Sequence, residues 1–135
     1  MGLQANELRI SNWINTDFGY AQIDSICEVS VSTKNKLGSW LLKEIEPIEL
    51  TPEILEACGF EKSDNKAWYA SLDKEFDLYE VNGFEFINAD DGKFYLWIST
   101  NDPYNNFFWT EIKYMHQLQN LYFDLIGKEL PVKFV

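Results

Sequence analysis

Between Tyr114 and Gly127 the apolar residues recur at intervals of three and four, and at about 100° per residue they gather on one broad face. That face holds Tyr114, Met115, Leu118, Leu121, Tyr122, Leu125 and Ile126, while His116, Gln117, Asn120 and Asp124 fall on the other. Gly127 offers the left-handed residue that ends many helices, and Lys128 stands at the negative end of the dipole. The pattern predicts a C-terminal helix docked on an apolar surface. Leu118, Leu121, Tyr122 and Leu125 are expected inside, with Gln117, Asn120 and Asp124 in water.

The first fifty residues show a different period. Leu8 and Ile10 alternate with Arg9 and lead to Trp13 and Ile14. From Ala21 to Val31 the spacing is two: Ala21, Ile23, Cys27, Val29 and Val31 share a face, with Ser25 interrupting. Ser32 to Gly38 is a polar turn, and Ser39 to Lys43 restarts an apolar strand around Trp40. Short strands broken at close intervals predict a small curled sheet or SH3-like barrel.

Leu50 to Phe60 (LTPEILEACGF) is a short helix with most of its punctuation in place. Thr51 suits the cap, Pro52 the first turn, and Glu53 the positive end of the dipole. Leu50 and Leu55 have staple spacing, and Gly59-Phe60 closes the helix as a Schellman motif does. Beyond it, Asn82-Gly83 separates Phe76–Val81 from Phe84–Asn88, and Asp91-Gly92 separates that strand from Lys93–Ser99. Both dipeptides predict two-residue hairpins. Ala67–Leu72 and Phe107–Lys113 are expected to flank this meander as strands. Phe94, Leu96 and Ile98 alternate with Tyr95 and Trp97, so that strand must be covered on both sides or present an aromatic strip. The C-terminal helix is expected to provide one cover.

The fold expected is α+β and mainly antiparallel: a small barrel-like N-terminal sheet, a meander, and a C-terminal helix packed on the sheet. Residues 1–135 are read as one domain, divisible into an N-terminal part, 1–50, and a C-terminal part, 60–135. A chain of this length buries roughly two-thirds of its unfolded surface, enough for a core without staples. No apolar run in residues 1–20 resembles a signal peptide, and nothing approaches the roughly 18 apolar residues of a membrane span. A cytoplasmic protein is expected.

Charge changes this picture in one place. The net charge is −11, and all of the imbalance lies in residues 44–91, where fourteen carboxylates face three lysines. Such a field repels phosphate backbones, so direct nucleic-acid binding is not expected. It serves either as a solubilising surface or as a face for a basic protein partner. Cys27 and Cys58 have neither metal-ligand spacing nor the count of a disulfide framework, and are expected as reduced, mostly buried thiols.

Catalytic signatures are sparse. His116 is the single histidine, which removes multi-histidine metal sites, and it is expected on the rim of its helix. No metal ligands, cofactor or catalytic residues are assigned. Asp90-Asp91-Gly92 and Asn101-Asp102-Pro103 fit turns better than calcium loops. Seventeen of the 22 aromatic residues lie between Phe60 and Phe123, and most of them are expected in the core. A minority, Trp97, Tyr104 and Trp109, are candidates for an exposed binding strip, and His116, Gln117 and Asn120 are candidate polar binding residues. Glu80, Glu85 and Asp102 are the carboxylates that a glycan- or small-molecule-processing cleft would bring together.

Three stretches, ANELRISNWI, IEPIELTPEILEACGF and YMHQLQNLYFDLIGKEL, resemble a family of uncharacterised proteins encoded by gut Bacteroidetes and their phages or integrated elements. Ser11 stands where that pattern has glycine, Glu49 where proline is frequent, and Asp124 where alanine is usual. The resemblance implies a phage or mobile-element accessory context and brings no activity, cofactor or catalytic residue. The function expected is a non-catalytic protein-interaction module. The alternatives are a glycan- or small-molecule-binding protein and an acidic mimic of nucleic acid, which would need an ordered double row of carboxylates.

Overall fold

The computed structural model describes residues 3–34, 39–64, 66–69, 74–89, 92–98 and 107–134. Its strands form two antiparallel sheets, and its chain divides into two units. Unit 1 joins Met1–Glu49 to Tyr114–Leu130, and unit 2 joins Leu50–Lys113 to Pro131–Val135. The C-terminal helix therefore groups with the N-terminal sheet, whose boundary falls near residue 50.

In unit 1, β1 (Trp13–Thr16), β2 (Gly19–Ile26), β3 (Ser30–Thr33) and β4 (Ser39–Leu41) pair in chain order. A 3-10 turn over Leu42–Glu44 then returns the chain to the first strand. There Asn15 and Glu46 exchange backbone bonds of 2.9 Å in both directions. That return gives the sheet its half-barrel curl. The run from Ala21 to Val31 is two strands and not one. Ile23 opposes Thr33 while Ser25 opposes Ser32, so Asp24 is an extra residue and the register slips. A β-bulge bends its strand and moves the following side chains to the other face. Ala21 and Ile23 point inward before the bulge, and Ile26 packs against the core after it. Cys27 and Val29 consequently lie exposed on the hairpin, where strict alternation had placed them inside.

The core of unit 1 comprises Leu3, Leu8, Ile14, Ile23, Val31 and Ile45. Against β1 packs α2 (Met115–Ile126), which buries Met115, His116, Leu118, Gln119 and Tyr122. The stripe begins as the periodicity predicts, but its last turn is uncovered: Leu125 is 59% exposed, and Leu121 is half-buried. Gly127 closes the helix at φ 81°, with its N–H donating to Phe123 O at 2.8 Å.

Unit 2 follows its local signals closely. In α1 (Pro52–Ala57) the Thr51 hydroxyl accepts from Ile54 N at 3.2 Å. At the other end Phe60 N donates to Leu55 O at 3.0 Å and Gly59 N to Glu56 O at 2.9 Å, the paired bonds of a Schellman motif. The sheet runs β10 (Phe107–Ile112), β9 (Phe94–Ile98), β8 (Phe84–Asn88), β7 (Lys74–Val81). Two short strands, β5 (Glu61–Lys62) and β6 (Ala67–Tyr69), then pair successive parts of β7. Asn82 and Gly83 both have positive φ, 49° and 81°, as the two-residue turn requires. The second hairpin differs from expectation. Asp91 lies outside the described residues, but Ala89 N donates to Lys93 O at 2.8 Å and Gly92 N to Ala89 O at 2.9 Å. With Gly92 at φ 80°, these are the bonds of a longer loop ending in a left-handed glycine.

Both faces of this sheet are covered. Phe76, Leu78, Ile87 and Trp97 form a cluster with Ala67. On the opposite face of β7 and β8, Phe86 meets Phe60 at 5.7 Å and Phe84 at 5.2 Å between ring centroids. Trp97 is therefore a core residue and not part of an exposed strip.

Leu118 is fully buried and Leu125 exposed, so Leu118→Ala is expected to cost roughly 2–5 kcal/mol in urea denaturation. Leu125→Ala should stay within about 0.5 kcal/mol of wild type. Ser11 sits at φ 80°, a conformation that disfavours any side chain. Ser11→Gly should raise stability by roughly 0.5–1 kcal/mol, the relieved strain minus the added freedom of the unfolded chain. An unchanged denaturation midpoint would contradict that.

Candidate functional site

The polar residues of α2 and the segment Glu7–Trp13 converge in unit 1. Gln119, which the helix pattern did not single out, is 2% exposed. Its Oε1 accepts from Trp13 N at 2.8 Å and its Nε2 donates to Ser11 O at 3.1 Å. Asn120 Oδ1 accepts from Asn12 Nδ2 at 2.8 Å and Arg9 Nε at 3.0 Å, while its Nδ2 donates to Glu7 O at 3.0 Å. Arg9 grips Glu129 with two bonds of 2.8 Å and lies 4.3 Å from the Phe123 ring centroid. The Glu129 hydrogen bonds hold the guanidinium pKa above its ordinary value. Gln117 Oε1 accepts from Tyr114 N at 3.1 Å, satisfying a backbone group at the helix start.

His116 lies on the buried side of α2 and not on the rim. It is 1% exposed, and its ring stacks on Tyr114 at 5.9 Å with 11° between planes. Neither ring nitrogen has a hydrogen-bond partner among the described residues. Burial lowers its pKa below the ordinary histidine value, and the charge of Glu7 partly opposes that shift. Three of the polar candidates, His116, Gln117 and Asn120, are thus drawn into internal contacts. The signal for this role lay in RISNW: a polar run with a left-handed residue exposes backbone groups that only side chains can satisfy.

The aromatic candidates divide. Trp97 is core, Tyr104 lies outside the described residues, and so does the side chain of Trp109. Among the described residues, the exposed large apolar side chains are Ile10, Phe18, Tyr20, Val29, Leu41, Phe123, Leu125 and Ile126, all of unit 1. Val29, Leu41 and Leu42 line a depression of about 380 Å³, with Glu28 and Lys43 beside them. The Leu42 N–H donates to Val29 O at 2.9 Å, so the hairpin and the end of β4 hold this lining together.

In unit 2 the charge has its own order. Glu61 is the direct cross-strand partner of Glu80, and Glu80 of Glu85. Three glutamates thus stand in a row over β5, β7 and β8, an arrangement that opposes strand pairing. Glu61 and Glu80 line a shallow cleft with Gly59, Val81, Asn82 and Gly83. Asp102 lies outside the described residues, and no exposed aromatic side chain of the described residues belongs to this unit. Along β7, Glu75 and Asp77 project from the face opposite to Glu80, because strand side chains alternate. Asp77 meets Lys62 at 3.4 Å and Lys66 at 3.8 Å. Among the described residues, no group of three or more His, Cys, Asp or Glu side chains is placed to hold a metal ion, and no helix is long and apolar enough to cross a membrane.

Cys58 is buried and its thiol is pushed up to about 12 by desolvation, whereas Cys27 is exposed. Both are free thiols. Comparison with protein-family models, curated proteins and solved structures found no match to this chain.

Replacing Gln119 with alanine removes the acceptor of the Trp13 amide in a buried place. Urea denaturation should then report a loss of roughly 1–3 kcal/mol, the penalty for such a group. A neutral result would show that the contact contributes nothing to holding α2.

Proposed function

We propose that this chain is a non-catalytic protein-interaction module, serving as an accessory of a phage or mobile element. The observation that carries the reading is the set of exposed large apolar side chains described on unit 1, with Val29 and Leu41 flanking one depression. Exposed apolar groups gathered beside a polar rim are what a protein contact uses: the centre is desolvated and the charged rim sets orientation. Glu28 and Lys43 are the rim here. The accessory context rests on the sequence resemblance alone.

A basic partner is a second reading, and the facing pair Glu61–Glu80 favours it. Like charges placed opposite one another weaken a sheet, so a complementary cation would relieve their repulsion. The two readings differ in salt dependence. Charge-steered association weakens once the screening length falls below about 8–10 Å, whereas apolar contact does not.

Affinity capture from the host lysate with wild type and a Val29→Asp/Leu41→Asp variant, at low and high salt, separates them. The apolar reading expects one partner retained at high salt and lost with the variant. A partner lost at high salt and kept by the variant would favour the acidic pair. Identical recovery under all four conditions would remove both surfaces from consideration.

A further inference from the structure

We propose that unit 1 contains an acid-sensitive latch, in which protonation of His116 loosens the first turns of α2 from the half-barrel. The inference does not depend on the interaction reading. His116 is buried beside fully buried neighbours, Met115 and Leu118, and its ring runs nearly parallel to that of Tyr114, 5.9 Å away between centroids. An imidazolium carries two N–H donors, and a buried donor without an acceptor is costly. Neither nitrogen of His116 has a partner among the described residues. The ring also stands in the first turn of α2, at the positive end of the dipole, where a cation is disfavoured.

The surrounding charges do little to rescue the cation. Strand β1, against which the helix packs, reads WINT and has no ionisable group. From the N-terminal 3-10 turn the exposed Glu7 is the carboxylate whose charge reaches the ring, and water screens it. Arg9, from the segment before β1, is held by Glu129. Asp124 lies two turns further along the helix and is exposed. From the stretch that pairs with Tyr114, Glu49 is exposed. The docked helix therefore favours the neutral ring.

The direction of the pH effect follows. With α2 undocked the histidine titrates near 6.5, and docked it titrates lower, so the undocked form binds more protons. Docking is fully favoured above pH 6.5 and weakens as pH falls through that value. If the docked ring stays neutral, the opening equilibrium rises up to roughly thirtyfold by pH 5, still above the ordinary carboxylate range. Gln119, one turn along the helix, releases Trp13 and Ser11 when α2 loosens, which frees the start of β1 as well.

The test is NMR on the full-length chain between pH 8 and pH 5, following the His116 ring resonances together with amide exchange. Expected are a ring that remains neutral below pH 6.5 and protection factors at Leu118, Gln119 and Tyr122 that fall toward the thirtyfold limit. The amides of Leu78 and Ile87 in unit 2 should change little, and His116→Phe should abolish the dependence in α2. A ring that titrates at or above 6.5, or α2 protection that stays constant with pH, would overturn the latch. So would an unchanged pH dependence in His116→Phe. If that variant does not fold, the wild-type ring titration and the contrast between the two units still decide.

Discussion

The contact on which unit 1 depends is the set of side-chain bonds from Gln119 and Asn120 to the stretch Glu7–Asn12 and the first residue of β1. That stretch is mostly irregular, and its backbone groups cannot all be satisfied by a sheet ladder. Ser11 adopts a left-handed conformation there, which turns its carbonyl toward Gln22 and Gln119. Two amide side chains on adjacent helix positions supply the missing donors and acceptors. They also join residues more than 100 positions apart. The apolar stripe of α2 provides the non-directional part of the attraction. The amides set where along β1 the helix settles, because hydrogen bonds reject a shifted register and apolar contact tolerates one.

Arg9 extends the same arrangement outward. Its guanidinium meets Glu129, Asn120 and the Phe123 face from a half-buried position, so it combines a bidentate ion pair with a ring contact. A single exposed pair adds at most about 1 kcal/mol. Its use here is geometric: the bidentate grip ties the chain beyond Gly127 to the residue preceding Ile10. His116 is the counterpoint. Among the described residues of that helix face, its ring nitrogens are the buried polar atoms without a hydrogen-bond partner.

Unit 2 rests on a different balance. Its helix cap, Schellman closure and Asn-Gly hairpin are local, and each brings neighbouring residues together at little cost in chain entropy. A sheet covered on both faces then absorbs Phe76, Leu78, Ile87 and Trp97 on one side and Phe84 and Phe86 on the other. This explains why the described aromatic side chains of unit 2 are buried or half-buried. Among the described residues the surfaces available for contact also differ: apolar side chains on unit 1, a row of glutamates on unit 2. Both units are acidic, with nine carboxylates against five basic residues in unit 1 and thirteen against six in unit 2. The acidity is therefore shared between the units, while its clustering in sequence follows mainly from β5 to β8 and the loops around them.

What the amino-acid sequence determined by itself is the set of features decided within a few residues. Thr51, Pro52, Gly59, Asn82-Gly83 and Gly127 acted where they stand, because capping and positive φ are local requirements met by particular side chains. The helical period likewise foretold that Met115, Leu118 and Tyr122 would face inward. Ser25 marked the bulge as an interruption, yet one out-of-phase residue does not say that the register slips, since the slip is defined only by the partner strand. The remaining decisions belonged to tertiary structure. The partner of α2, the burial of His116 and Gln119, the exposure of Val29 and Leu125, and the enclosure of Trp97 each depend on what lies across the gap from the residue. Periodicity reports which side of an element is apolar. Only packing between segments distant in sequence decides how much of that side is covered, and by what.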